Sequence, residues 1–153
     1  LYFLSKLSNE LLDKGKGYMA VRNAPDSIYI LCYNHKNLIY DYKYEEENVV
    51  NVYNVDSMFE DNSPVTLRFM VHGLKAGGEY VVKHHIINQE YGSVMDEWRR
   101  LGFEPEMRGN DIVYMKNVCI PRIQMGRKVA EEGRIYLEAE LLPHEMHLIH
   151  IYK

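Results

Sequence analysis

The apolar positions that open the chain, Phe3, Leu4, Leu7 and Leu11, recur at helical spacing and predict an α-helix from Leu1 to about Gly15. Gly15 and Gly17 suit the left-handed end of a helix, and Lys14 and Lys16 suit its negative pole. The period then changes to two. Tyr18 to Asn34 is rich in Tyr, Ile and Val and is split by the turn cluster Asn23-Ala24-Pro25-Asp26-Ser27, which predicts a β-hairpin. Its second arm, Ile28 to Tyr33, is apolar on both faces, the pattern of a central strand covered on two sides. From Pro64, Val65, Leu67, Phe69 and Val71 alternate with Thr66, Arg68, Met70 and His72, a half-buried antiparallel strand. Gly73 to Gly78 turns the chain into a second run, Glu79 to Asn88, so that the two are expected to form another hairpin.

Ser93-Val94-Met95-Asp96 is a capping pattern, and Val94, Trp98 and Leu101 fall on one helical stripe that Gly102 stops. Trp98 is expected to fill the seam between this helix and a sheet. A second short helix is expected after Asn110, through Ile112, Val113 and Met115, ending before Pro121. Ile135, Leu137, Ala139 and Leu141 alternate with Arg134, Tyr136, Glu138 and Glu140; Pro143-His144 breaks that strand, and Met146 to Tyr152 supplies the last one. Hairpins rather than strand-helix-strand units dominate. The predicted fold is therefore mainly β, a two-layer antiparallel β-sandwich with an N-terminal helix and one or two short inserted helices.

Composition narrows the function classes. At 153 residues and 46% apolar content the chain can bury one core without disulfide or metal support. A formal charge of −4 gives no global positive field for a polyanion, so no nucleic-acid partner is expected. Two cysteines, Cys32 and Cys119, are too few for a disulfide scaffold and read as free thiols of a reducing, cytoplasmic compartment. No apolar run approaches the roughly 18 to 20 residues of a membrane helix, so no membrane partner is expected. Leu1 has no methionine before it and lies inside an apolar pattern, which leads us to expect a piece of a longer polypeptide.

Candidate chemistry is sparse. His144, His147 and His150 are spaced three apart; on a strand such positions point to opposite faces and cannot converge on a metal without a bend. His144-Glu145-Met146-His147 is one residue short of the helical zinc-protease signature. His84 and His85 also point apart, one of them expected near an aromatic ring. Ser93 lies in no nucleophile elbow and is explained as a helix cap, and Cys119 lies in an apolar stretch without a cationic neighbour. Residues 35 to 63 read as a long polar excursion, in which Glu45-Glu46-Glu47 is a solvated run rather than a cation site. Tyr40, Tyr42, Tyr44 and Tyr53 accompany that run. The 13 tyrosines of the whole chain are its one compositional excess and, with amides such as Asn48 and Asn51, have the composition of a sugar-stacking surface, although tyrosine also favours strands and interfaces. No catalytic, cofactor-binding or metal-binding residue is assigned.

Several patterns, taken in order, resemble one family. Leu1-Tyr2-Phe3-Leu4-Ser5-Lys6-Leu7 resembles the last barrel helix of glycoside hydrolase family 39, the β-xylosidase-like proteins, and Tyr29-Ile30-Leu31-Cys32-Tyr33-Asn34 resembles the first hairpin of their C-terminal β-sandwich. The longest stretch is Glu79-Tyr80-Val81-Val82-Lys83-His84-His85-Ile86-Ile87-Asn88, then Tyr91-Gly92-Ser93, Trp98 and Leu101-Gly102, similar to a strand, connector and Trp-bearing helix. Leu141-Leu142-Pro143-His144-Glu145-Met146-His147-Leu148-Ile149 resembles the final hairpin. The resemblance implies that residues 1–15 are the remnant of the last helix of a preceding barrel-like domain and 16–153 a non-catalytic accessory β-sandwich. The family's retaining glycosidases carry their two carboxylates on a barrel upstream of such a segment. Their Asn-Glu-Pro motif is absent, and Phe103-Glu104-Pro105 has Phe in place of Asn and follows a surface helix. The implied partners are a barrel-type domain of the same polypeptide, a second subunit in a homo-oligomer, and xylo-oligosaccharide or a related sugar. A similar portion ends AraC-type transcription regulators, so a sugar-responsive regulator is an alternative parent, and a carbohydrate-binding module is the rival from another class.

Overall fold

The computed structural model describes residues 2–8, 10–39 and 53–153. Among these residues eight strands form two sheets. The larger has six strands in the order β1-β2-β3-β8-β5-β6 and the smaller pairs β4 with β7, every pairing antiparallel. The strands are β1 Glu10–Gly15, β2 Tyr18–Ala24, β3 Ser27–Tyr33, β4 Val65–Val71, β5 Glu79–Ile87, β6 Arg122–Val129, β7 Ile135–Leu141 and β8 Met146–Tyr152. Two helices, α1 Val94–Arg100 and α2 Gly109–Val118, lie in the β5–β6 connection. The mainly β, two-sheet expectation is met.

Alternation explains how the sheets meet. In β7, Ile135, Leu137, Ala139 and Leu141 are buried and the residues between them exposed, while β4 offers Leu67, Phe69 and Val71 to the same core. The larger sheet answers with Ile28, Ile30 and Cys32 of β3, Tyr80 and Val82 of β5, and Ile149 and Ile151 of β8. The one strand expected to be covered on two sides, Ile28 to Tyr33, puts Ile28, Ile30 and Cys32 into this core and Leu31 into a cluster on its other face. On the other face of the larger sheet, Phe3, Leu31 and Leu148 form a second buried cluster flanked by Leu7, Tyr29, Ile87 and Met146.

The N-terminal helix expected over residues 1–15 is not found among its described residues. Only Leu4–Lys6 makes a 3-10 turn, and Glu10–Gly15 pairs with β2 as an edge strand. Leu11 and Leu12 are exposed on that edge, so their spacing records no helical stripe. Phe3 folds back onto the sheet, while Tyr2 and Leu4 remain exposed. The turn between β1 and β2 needs Gly17, whose φ is +81° and whose carbonyl accepts from the Tyr33 N–H at 2.8 Å.

Two expected hairpins are instead arches between sheets. β4 and β5 follow one another in sequence, yet β4 pairs with β7 and β5 with β6 and β8. The closing β7–β8 segment crosses in the same way, since β7 lies in the small sheet and β8 in the large one. Strand β6, which sequence periodicity did not predict, adds an outer edge to β5, and all eight of its residues are exposed.

Candidate functional site

The connections gather at one end of the sandwich. The β7–β8 arch is latched there by Glu145, a buried carboxylate that accepts from the Leu142 N–H at 2.7 Å, Asn88 Nδ2 at 3.1 Å and His147 Nε2 at 3.0 Å. Asn34, also buried, donates its side-chain amide to the carbonyls of Leu141 and Ser63, while its own backbone bonds to Glu145 and His144. Lys36 is buried beside it, pairs with Asp61, and holds that carboxyl well below the usual carboxylate range. These groups bind the end of β3 to the arch, and the His147 Nδ1 is a buried atom there without a hydrogen-bond partner.

Next to the latch, α1 supplies the chemistry. Ser93 caps it as expected, accepting from the Asp96 N–H at 3.2 Å. Arg99, one turn on, reaches Asp96 and also crosses to Asp56 of the 3-10 turn Val55–Met58, each at 3.3 Å. On one side of this bridge a cleft of about 270 Å³ is lined by Asn88, Gln89, Phe59 and His144 among others. On the other side a shallower one of about 480 Å³ is lined by Tyr53, Asp56, Arg99, Gly102 and Phe103.

The aromatic wall of the shallower cleft comes from the end of α1. Gly102 and Phe103 both adopt left-handed backbone, φ +75° and +59°, and the Phe103 N–H returns to the Trp98 carbonyl at 3.0 Å. That turn sets the Phe103 ring edge-on to Trp98 at 5.2 Å and to Tyr53 at 5.1 Å. Trp98 therefore packs within the helix–loop cluster, with its indole N–H on the Glu104 carbonyl at 2.8 Å, and no residue of α1 is buried. The expectation that Trp98 fills a helix–sheet seam is corrected accordingly.

The histidines separate as strand geometry requires. His144 sits in the arch at φ +61° against the Phe59 ring, His147 lies buried on Glu145, and His150 meets Ser27 Oγ at 2.9 Å between the rings of Tyr29 and Tyr152. His85 packs near Tyr2 and Phe3, on the face opposite His84. Burial lowers the affinity of His84, His85, His144 and His150 for a proton, His150 to a pKa of about 4. Among the described residues no group of three His, Cys, Asp or Glu side chains could hold a metal ion. Cys32 is buried and its thiol is pushed up to about 12, and Cys119 is free, its thiol also raised by burial. Glu104 turns its carboxylate onto the Glu106 N–H as a local cap. Tyr40, Tyr42, Tyr44, the Glu45–Glu47 run, Asn48 and Asn51 lie outside the described residues.

Two surfaces are incomplete. Between β4 and the β1–β2 end of the large sheet the sandwich opens into a cleft of about 330 Å³ lined by Leu12, Tyr18, Ile28, Leu67 and Phe69 among others. On the opposite face, β6 sets Met125 beside Lys83 and Ile123 beside His85, continuing the surface that Phe3 covers. Ile123, Met125 and Val129 there remain 52%, 64% and 55% exposed. No helix among the described residues is long and apolar enough to cross a membrane.

No protein-family model matches the sequence, and no curated protein matches it. Solved structures do. A GH39 enzyme from Xanthomonas axonopodis pv. citri superposes with a TM-score of 0.74 at 10% identity, over 98% of this chain and 28% of that one. A monomeric β-xylosidase from Caulobacter crescentus CB15 gives 0.67 at 13% identity, over 98% and 29%. A GH39 β-xylosidase from Caulobacter crescentus gives 0.59 at 13% identity, over 99% and 26%. The likeness is one of fold, and the chain spans less than a third of the length of these enzymes.

Proposed function

We propose that this chain is the non-catalytic accessory β-sandwich of a larger glycoside hydrolase family 39-like protein, and that it supports a barrel module of the same polypeptide. The observation that carries the reading is the fold match: nearly all of this chain corresponds to under a third of each glycosidase. The bare apolar stretch Ile123, Met125 and Val129 is where the barrel docks, because exposed apolar surface contiguous with a buried cluster marks an interaction face. The solved neighbours favour a hydrolase parent over a regulator.

The test is complementation. The barrel encoded with this chain, expressed without it, should gain thermal stability on addition of the chain, and the Met125→Lys variant should give no gain while keeping its own melting temperature. A barrel that neither binds the chain nor melts higher in its presence would refute the proposal. The chain alone should not turn over an aryl β-xyloside, since a retaining mechanism needs two carboxylates about 5 Å apart on a rigid frame.

A further inference from the structure

The cleft beside α1 combines features that packing alone does not require. Tyr53 is 81% exposed although its ring meets Phe103 edge to face. A cluster serving only to stiffen the loop gains most by burying its rings. Phe103 itself is held at φ +59°, a conformation that bulky residues adopt only where the surroundings enforce it, and which recurs at ligand sites. In the same cleft Asp56 is exposed and engages one Nη of Arg99, with Asp96 on the other.

This set of groups defines a ligand class. An aromatic face attracts the C–H face of a pyranose ring, whose hydrogens carry partial positive charge. A carboxylate and a guanidinium held side by side accept from and donate to neighbouring hydroxyls with charge-assisted bonds. Because two carboxylates already answer Arg99, the cleft holds no unbalanced positive charge for a phosphate or a uronate. We propose that the cleft formed by Tyr53, Phe103, Asp56 and Arg99 is a carbohydrate-binding subsite for one pyranose ring of a neutral oligosaccharide, stacked on Tyr53 with its hydroxyls on Asp56 and Arg99. The site stands whether or not the chain supports a barrel; only the choice of a xylan probe rests on that reading.

Isothermal titration calorimetry of the 153-residue chain with xylohexaose, and separately with cellohexaose, tests it. At least one should bind saturably, and the emission of Trp98, the chain's single tryptophan, should shift over the same titration. Tyr53→Ala should weaken binding about tenfold or more and Asp56→Asn about fivefold, with unchanged circular dichroism and urea midpoint. Tyr136→Ala, 58% exposed on the small sheet, should leave affinity unchanged. No saturable heat with either sugar overturns the proposal, as does binding that Tyr53→Ala and Asp56→Asn leave intact. Binding without complementation of a barrel would sink the accessory reading alone.

Discussion

Removing the latch of the β7–β8 arch should be among the most damaging single changes in this chain. Glu145 is buried and serves three donors: the Leu142 N–H, the Asn88 amide and the His147 ring. Bonds to a charged group each contribute about 1.5 to 3 kcal/mol, but half-buried Asn88 can recover a partner from water, so the three do not add fully. Glu145→Ala is therefore expected to cost about 3 to 4 kcal/mol, a large share of a typical domain stability. Glu145→Gln keeps the volume and one carbonyl acceptor but turns an N–H₂ toward a donor, and should cost about 1 to 2 kcal/mol. Urea denaturation followed by far-UV circular dichroism measures both, and a double-mutant cycle with His147→Ala should return a coupling of about 1 to 2 kcal/mol. A loss below about 1 kcal/mol for Glu145→Ala, or a Gln variant weaker than the Ala variant, would show that the arch is held by its apolar neighbours instead.

Gly17→Ala should destabilise by about 2 kcal/mol or more, since the added Cβ would meet the Tyr33 carbonyl oxygen at 2.8 Å in left-handed backbone; an unchanged urea midpoint would contradict the turn. Trp98→Ala should cost only about 1 to 2 kcal/mol, because its indole packs on Phe103 at the surface, and a loss of about 4 kcal/mol would return it to a core role. Acidification should weaken the fold. Burial holds His84, His85, His144 and His150 below the ordinary 6.5, so below that pH the unfolded chain binds more protons than the folded one. Stability is complete above about pH 6.5 and falls toward pH 4, by about 1 kcal/mol in all once partial exposure is allowed for. A urea midpoint that rises between pH 7.5 and pH 5 would refute this.

The strands legible in the sequence are those on which burial left an imprint. β4 and β7 alternate because each has one face in the core, and β3 carries an unbroken run from Ile28 to Cys32 because both of its faces are covered there. β1 and β6 were illegible for the complementary reason: every residue of each is exposed, so no periodicity ties them to a strand. Leu11 and Leu12 then passed for part of a helix. The two arches misled differently. A turn of Gly or Pro shows that the chain reverses but not whether the next strand stays in the same sheet, which the long-range pairing of β4 with β7 decides. Of the candidate sugar cleft, the tyrosine excess was visible, but Arg99 and Asp56 stand 43 residues apart and meet only when α1 docks beside the 3-10 turn. Phe103 drew notice only as the first residue of Phe103-Glu104-Pro105, and nothing in the sequence marks it as the wall of a cleft.

The most direct test of the accessory reading is the gene itself, read in frame upstream of the codon for Leu1. The account predicts an uninterrupted coding region long enough for a strand-and-helix barrel and containing an Asn-Glu-Pro motif. A stop codon, or a start codon preceded by no such region, would contradict it.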